Sequence, residues 1–272
     1  MLRPWIYADI LLPRFNTYTS ADRLRSRLKG IYSGLVALEE IAIRRGIPIL
    51  APFQGAQIGA FRVLAPSPTR YIDLIVSSDR TPETVDDAQT TLLDRIWWGA
   101  REGARRVANL VSAAWGHELF SANATSAENE MSVVQFAQLS GHKIVLTGDA
   151  GREALAEAGQ YAPIAGLMLP GVDRFQVPHH GSRRNVSTEI LDQWLGPRLN
   201  QPAPNPLFTA LISSAAADPH HPRNSVRRAM IHRGGQVLET EGASFYVFGG
   251  AAVMRPEWSV KIPATYPLTQ ET

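Results

Sequence analysis

Lys143–Gly151 reads Lys-Ile-Val-Leu-Thr-Gly-Asp-Ala-Gly, and Phe175–Thr188 reads Phe-Gln-Val-Pro-His-His-Gly-Ser-Arg-Arg-Asn-Val-Ser-Thr. Ile144, Val145 and Leu146, closed by Thr147-Gly148, have the pattern of a short strand buried on both faces. Asp149 follows just past its end, where Gly148 and Gly151 leave room for a ligand to approach. The second stretch repeats the arrangement: Phe175–Val177 as a strand, Pro178 as a stop, then His179-His180-Gly181-Ser182. A carboxylate and two imidazoles placed beyond strand ends are oxygen and nitrogen donors suited to zinc, manganese or iron. Each feature alone has an ordinary reading. An Asp after a strand serves as a turn or cap residue, and paired histidines sit on surfaces.

Taken with Asp218-Pro219-His220-His221-Pro222, these motifs form a set that is harder to set aside. Over roughly residues 46–250 the chain resembles the C-terminal half of a metallo-β-lactamase-fold hydrolase. The similar branch contains the competence-type DNA-uptake hydrolase domains and related phosphodiesterases, with L-L-T-G-D, V-x-H-H-G-S and N/D-x-x-H-P elements. The resemblance implies an α/β fold, an αββα sandwich of two sheets with helices outside. It implies that Asp149 bridges metals, that one of His179 and His180 ligates while the other orients substrate or leaving group, and that His221 completes the set. It also places Asn129 and Ser132 at the rim, through an Asn-x-x-Ser element, and makes Ser182 a buttress of the histidine loop. The implied nucleophile is a metal-bound hydroxide acting on a phosphodiester.

The family's upstream H-x-H-x-D-H motif has no counterpart, since the earliest histidine is His117. The expectation is therefore an N-terminally incomplete sandwich, whether by truncation, a misplaced start or genuine loss. A catalytic zinc takes three protein ligands plus water. One metal, weakly held, and little turnover are expected, the alternative being a non-catalytic binding or regulatory descendant. Missing strands would leave a sheet edge and apolar surface open near residues 1–65, favouring homo-oligomers.

The 272 residues are 44% hydrophobic and 19% charged, enough for a sizeable core. A formal charge of +2 gives no electrostatic argument for nucleic acid. Arg183-Arg184 directly follows the histidine pair, where guanidinium groups suit a small anionic or phosphodiester substrate. With no cysteine, thiolate sites are excluded. Neither a signal peptide nor a membrane-length apolar run is present, so a cytoplasmic protein without a membrane partner is expected.

The chain divides into one domain at 1–252, carrying a helical insertion at about 85–120, and a tail at 253–272. Ser20 is an N-cap for a helical pattern broken near Gly30 and Ser33-Gly34. Ile47–Leu50 and Ile58–Leu64 read as strands around a Gln54-Gly55 turn, ended by Pro66 and Pro68. Val133–Leu139, Lys143–Leu146 and Leu207–Ser213 read as further strands. Helices are expected from Arg152, from Ser187 and from Ser225, and a hairpin pairs Gln236–Thr240 with Ser244–Phe248.

Overall fold

Ser20, Ser67, Ser126 and Ser187 each accept the backbone N–H three residues on, from Arg23, Arg70, Asn129 and Ile190. Such caps satisfy one of the free donors at a helix start, and each of these serines opens a helix. The computed structural model describes residues 1–78, 114–215, 217–218, 220–241, 244–247 and 255–270. The expected helical insertion lies outside them as far as residue 113; residues 114–120 are turn and irregular chain.

The N-terminal helices are α1 (Ala8–Leu11), α2 (Ala21–Ile31) and α3 (Ser33–Arg44), with the break between the last two at Tyr32. A hairpin of β1 (Gln57–Ile58) and β2 (Phe61–Ala65) follows, then α4 (Pro68–Ser77). Trp5, Leu11, Leu24 and Leu28 pack with Tyr71, Leu74 and Ile75 of α4 into one apolar cluster. Ile47–Leu50 is not a strand: it runs without regular structure, and Ile47 and Leu50 are exposed. The hairpin instead turns at Gly59-Ala60. Helix α3 buries no residue, and Leu38, Ile41 and Ile43 are exposed along it. Strand β1, at the sheet's edge, is exposed at both positions.

The remaining elements are α5 (Ala127–Glu130), β3 (Val134–Leu139), β4 (His142–Leu146), α6 (Arg152–Tyr161), β5 (Arg174–Gln176), α7 (Thr188–Leu195), β6 (Phe208–Ile212), α8 (Asn224–His232) and β7 (Gly235–Glu239). The seven strands form one sheet in sequence order, antiparallel from β1 to β4 and parallel from β4 to β7. The protein is thus α/β with a mixed sheet. The second sheet of the expected sandwich is not among the described strands.

The register explains why this sheet has one dry face. Phe136, Val145, Phe175, Ala210 and Val237 are successive cross-strand partners, and all five are buried. Side chains alternate along a strand, so the neighbouring row faces the other way. That row runs Ile144, Arg174, Thr209, Gln236; Arg174 Nη1 and Gln236 Nε2 both donate to Thr209 Oγ1, at 3.2 and 2.9 Å. Strand β4 is therefore buried on one face only: Val145 is buried, while Ile144 and Leu146 are half-buried beside polar neighbours.

Strand β7 joins the sheet parallel to β6, and Ser244–Val247, the described part of the expected hairpin's second strand, is not a strand. Its open edge is met by the tail, where Ala264 N donates to Val237 O at 2.8 Å. Further on, the Tyr266 hydroxyl meets His232 Nε2 at 3.0 Å, and Gln270 bonds Leu119 N and His117 O. Beneath it Glu118 receives Arg233 Nη1, His232 Nδ1 and Thr188 Oγ1, all at fully or largely buried positions. This network bolts α7 to α8. Among the described residues no helix is long and apolar enough to cross a membrane.

Candidate functional site

In an open sheet with parallel strands, ligands bind in the crevice beyond the strands' carboxyl ends. Here the loops leaving β4, β5 and β6 carry Asp149, His179-His180 and His221 to that edge.

The β4 exit is held by groups from its neighbour. Gln176 Oε1 accepts from Thr147 N at 2.9 Å and Gly148 N at 3.2 Å, and Thr147 Oγ1 donates to Gln176 O. Buried Asn185 donates from Nδ2 to the carbonyls of Asp149 and Ala150, at 2.8 and 3.2 Å. The Asp149 side chain is left exposed between these fastenings. Gly151 offers no space for a ligand. A Cβ there would overlap the Glu130 carboxylate, which is buried and accepts Ala154 N and Arg70 Nη2. Glu130 thereby serves as the cap of α6 that Gly151 cannot provide.

The β5 exit turns through three consecutive left-handed residues, His179 (φ 46°), His180 (φ 56°) and Gly181 (φ 81°). Non-glycine residues held in this region cost on the order of 1–3 kcal/mol each and persist only where surrounding contacts over-determine them. Those contacts are present: His179 N donates to Gly148 O at 3.0 Å, and Ser182 N to His179 O at 3.0 Å. Arg223 N donates to Gly181 O at 3.1 Å, tying the turn to the β6 exit. Ser182 is buried and its Oγ accepts Arg184 N.

The rings of His179 and His180 lie 5.9 Å apart and nearly perpendicular, and those of His179 and His221 lie 5.9 Å apart and nearly parallel. His180 Nδ1 is 2.6 Å from Ser213 O, His221 Nδ1 is 3.0 Å from Asp218 Oδ2, and Asn129 Nδ2 is 2.9 Å from His179 Nδ1. Burial holds the His179 pKa below its ordinary value; Asp149 pulls it up, and His180 and His221 push it further down. Asp218 is lowered by the His220 amide and by His221.

The structure thus brings Asp149, His179, His180, His221 and Asn129 together. Ser132 abuts Gly148, the residue before Asp149. Arg184 is exposed; Arg183 is half-buried, and its carbonyl accepts Ser121 N. His220 is exposed and enters the loop through its backbone bond to Asp218. Yet among the described residues no group of three or more His, Asp or Glu side chains is placed to hold a metal ion. The donors match a metal in kind.

Gln176 and Asn185 are functional supports that the sequence did not single out. Asn185 stands in the quoted stretch, but beside a helix cap it reads as a turn residue. Gln176 reads as the polar position of a strand. No family model, no curated protein and no solved structure matches the chain.

Proposed function

We propose that this chain is a hydrolase-type domain of the metallo-β-lactamase kind, directed at a phosphodiester or similar small anion, with little turnover of its own. The observation that carries the reading is the convergence of Asp149, His179, His180 and His221 beyond three adjacent parallel strands. Imidazoles anchored through Nδ1 direct their other nitrogens away from the anchor, where they orient a ligand or take a proton from a water. A divalent metal would supply Lewis acidity and an activated water. No step is assigned to it, because the donors are not gathered around a common point.

That same missing three-donor group favours a second reading, a binding or regulatory module that keeps the site without the chemistry. Purified protein assayed with bis-p-nitrophenyl phosphate, with and without added zinc or manganese, separates the two. The proposal expects weak zinc binding and a small metal-dependent rate that Asp149→Ala removes. Binding of the diester without any rate supports the second reading. Fast turnover untouched by Asp149→Ala overturns both.

A further inference from the structure

The three imidazoles differ in what their Nδ1 atoms face. His180 meets a carbonyl oxygen, that of Ser213, and His221 meets a carboxylate oxygen of Asp218. Such oxygens only accept, so both neutral rings carry the proton on Nδ1 and present Nε2 as a lone pair. His179 is the reverse. Its Nδ1 faces Asn129 Nδ2, an amide nitrogen that only donates, at 2.9 Å. With the amide nitrogen on that side, the ring accepts there and carries its proton on Nε2.

Asn129 is well placed to impose this. Its own N–H donates to the Ser126 cap and its carbonyl accepts Ser132 N at 3.0 Å, so its backbone is fixed on both sides. His179 N is pinned in turn by Gly148 O, and the ring is packed beside the other two.

We propose that Asn129 sets His179 as the Nε2–H tautomer, so that the cluster presents one hydrogen-bond donor beside two lone-pair nitrogens, and that this donor takes a non-bridging oxygen of a phosphodiester anion. A ring in this tautomer cannot ligate through Nε2. The three histidines then supply two metal-competent nitrogens rather than three, and the roles within the pair divide: His179 holds the anion, His180 keeps the lone pair. The identity of the anion rests on the proposed function; the tautomer does not.

Long-range proton–nitrogen correlation spectra of the 15N-labelled, metal-free protein read the tautomers directly. They are recorded at about pH 8, above the ordinary histidine pKa of about 6.5. Single His→Gln variants assign the rings. The expected pattern is Nε2–H for His179 and Nδ1–H for His180 and His221. Asn129→Asp replaces the donor by an acceptor and should switch His179 to Nδ1–H. It should also tighten zinc binding roughly tenfold or more, as carboxylate partners of ligating histidines do. Asn129→Ala should leave His179 a mixture of tautomers, with a smaller gain in zinc affinity than Asn129→Asp. Should Asn129→Asp fail to fold, the wild-type spectrum still decides. Nδ1–H for His179 in the wild type, or an unswitched ring in folded Asn129→Asp, overturns the proposal. Dimethyl phosphate should shift the His179 Nε2 resonance first among the three rings. No shift, with the tautomers as stated, would overturn the anion assignment alone.

Discussion

Gly181 and Pro222 are packed so closely that a Cβ on the glycine would sit 2.7 Å from the proline Cβ and 3.2 Å from its Cα. The contact joins the loop that carries the histidine pair to the loop that carries His221. With the bond from Arg223 N to Gly181 O, it makes the two loops one body.

Gly181→Ala is therefore expected to destabilise the fold by roughly 2–4 kcal/mol. The left-handed φ of 81° and the overpacking both contribute. Pro222→Gly in the same chain removes the nearer obstacle and should recover the packing share but not the backbone share. Urea denaturation of the single and double variants measures both. A loss below about 0.5 kcal/mol, the range of ordinary surface changes, would mean that the loops separate without cost.

Glu118 is the centre of the buried ion network, its side chain fully buried against Arg233 and His232. Burial pushes its pKa up, but hydrogen bonds from His232 and Arg233, the charge of Arg233 and the Thr188 hydroxyl together hold it below the ordinary value. A carboxyl lowered in the folded state binds fewer protons there than in the unfolded chain. Its contribution is complete above the unfolded value of about 4.3 and is lost as pH falls through the lower folded value. Glu118→Gln should flatten this acid limb of stability against pH. Glu118→Ala should cost roughly 3 kcal/mol near neutrality by taking the buried carboxylate from a buried guanidinium. Asp192→Ala should cost less, because that partner of Arg233 is over a third exposed. A stability curve of unchanged shape in Glu118→Gln would refute the assignment.

Tyr266 ties the tail to α8 through the hydroxyl to His232 and Arg228 at 4.7 Å over its face, and to the 114–120 segment through the ring at 5.2 Å from Trp115. Tyr266→Phe loses only the hydroxyl and is expected to cost about 1 kcal/mol. Tyr266→Ala loses the aromatic contacts too and should cost about 3 kcal/mol. Thermal denaturation gives both values. Limited proteolysis should show residues 255–270 cleaved sooner in the alanine variant. Equal losses in the two variants would place the whole effect in one hydrogen bond.

The elements that carried their own signal were legible. Strands β3 and β4, helices α6, α7 and α8, and the Ser20 and Ser187 caps follow from local periodicity and capping. Helix α4 was not, because Pro66 and Pro68 read as terminators. Ser67 is in fact an N-cap, and Pro68 at the first helical position is favoured there. Strand β7 was legible as a strand but not in its pairing, since its partner β6 lies across a helix while Glu241-Gly242 offers a turn close by. The site divides the same way. Asp149, His179, His180 and His221 stand in recognisable motifs. The groups that hold them do not, because which amides lie opposite Gln176 is set by the sheet register, and which carbonyls reach Asn185 by the packing of two distant loops. Glu118 was hidden for the same reason: its partners lie 70 or more residues away.

Gln176 gives the last test of whether the site is held or merely adjacent. Its side chain lies on the half-exposed face, where a leucine would be tolerated if packing were all that mattered. But Oε1 is the acceptor for two successive amides, Thr147 N and Gly148 N, directly before Asp149. Gln176→Leu leaves both without a partner, a cost of about 1–3 kcal/mol where the amides are shielded from water. Thr147 is buried and Gly148 exposed, so water replaces the second bond more readily than the first. Hydrogen exchange should accelerate most at Thr147, with weaker zinc binding at Asp149 and little change in β6 or β7. Gln176→Glu keeps an acceptor oxygen for these amides and should protect Thr147 as the wild type does. If Gln176→Leu leaves Thr147 exchange unchanged, the Gln176 side chain does not hold the Asp149 loop, and Asn185 and the backbone bond from His179 N to Gly148 O do so without it.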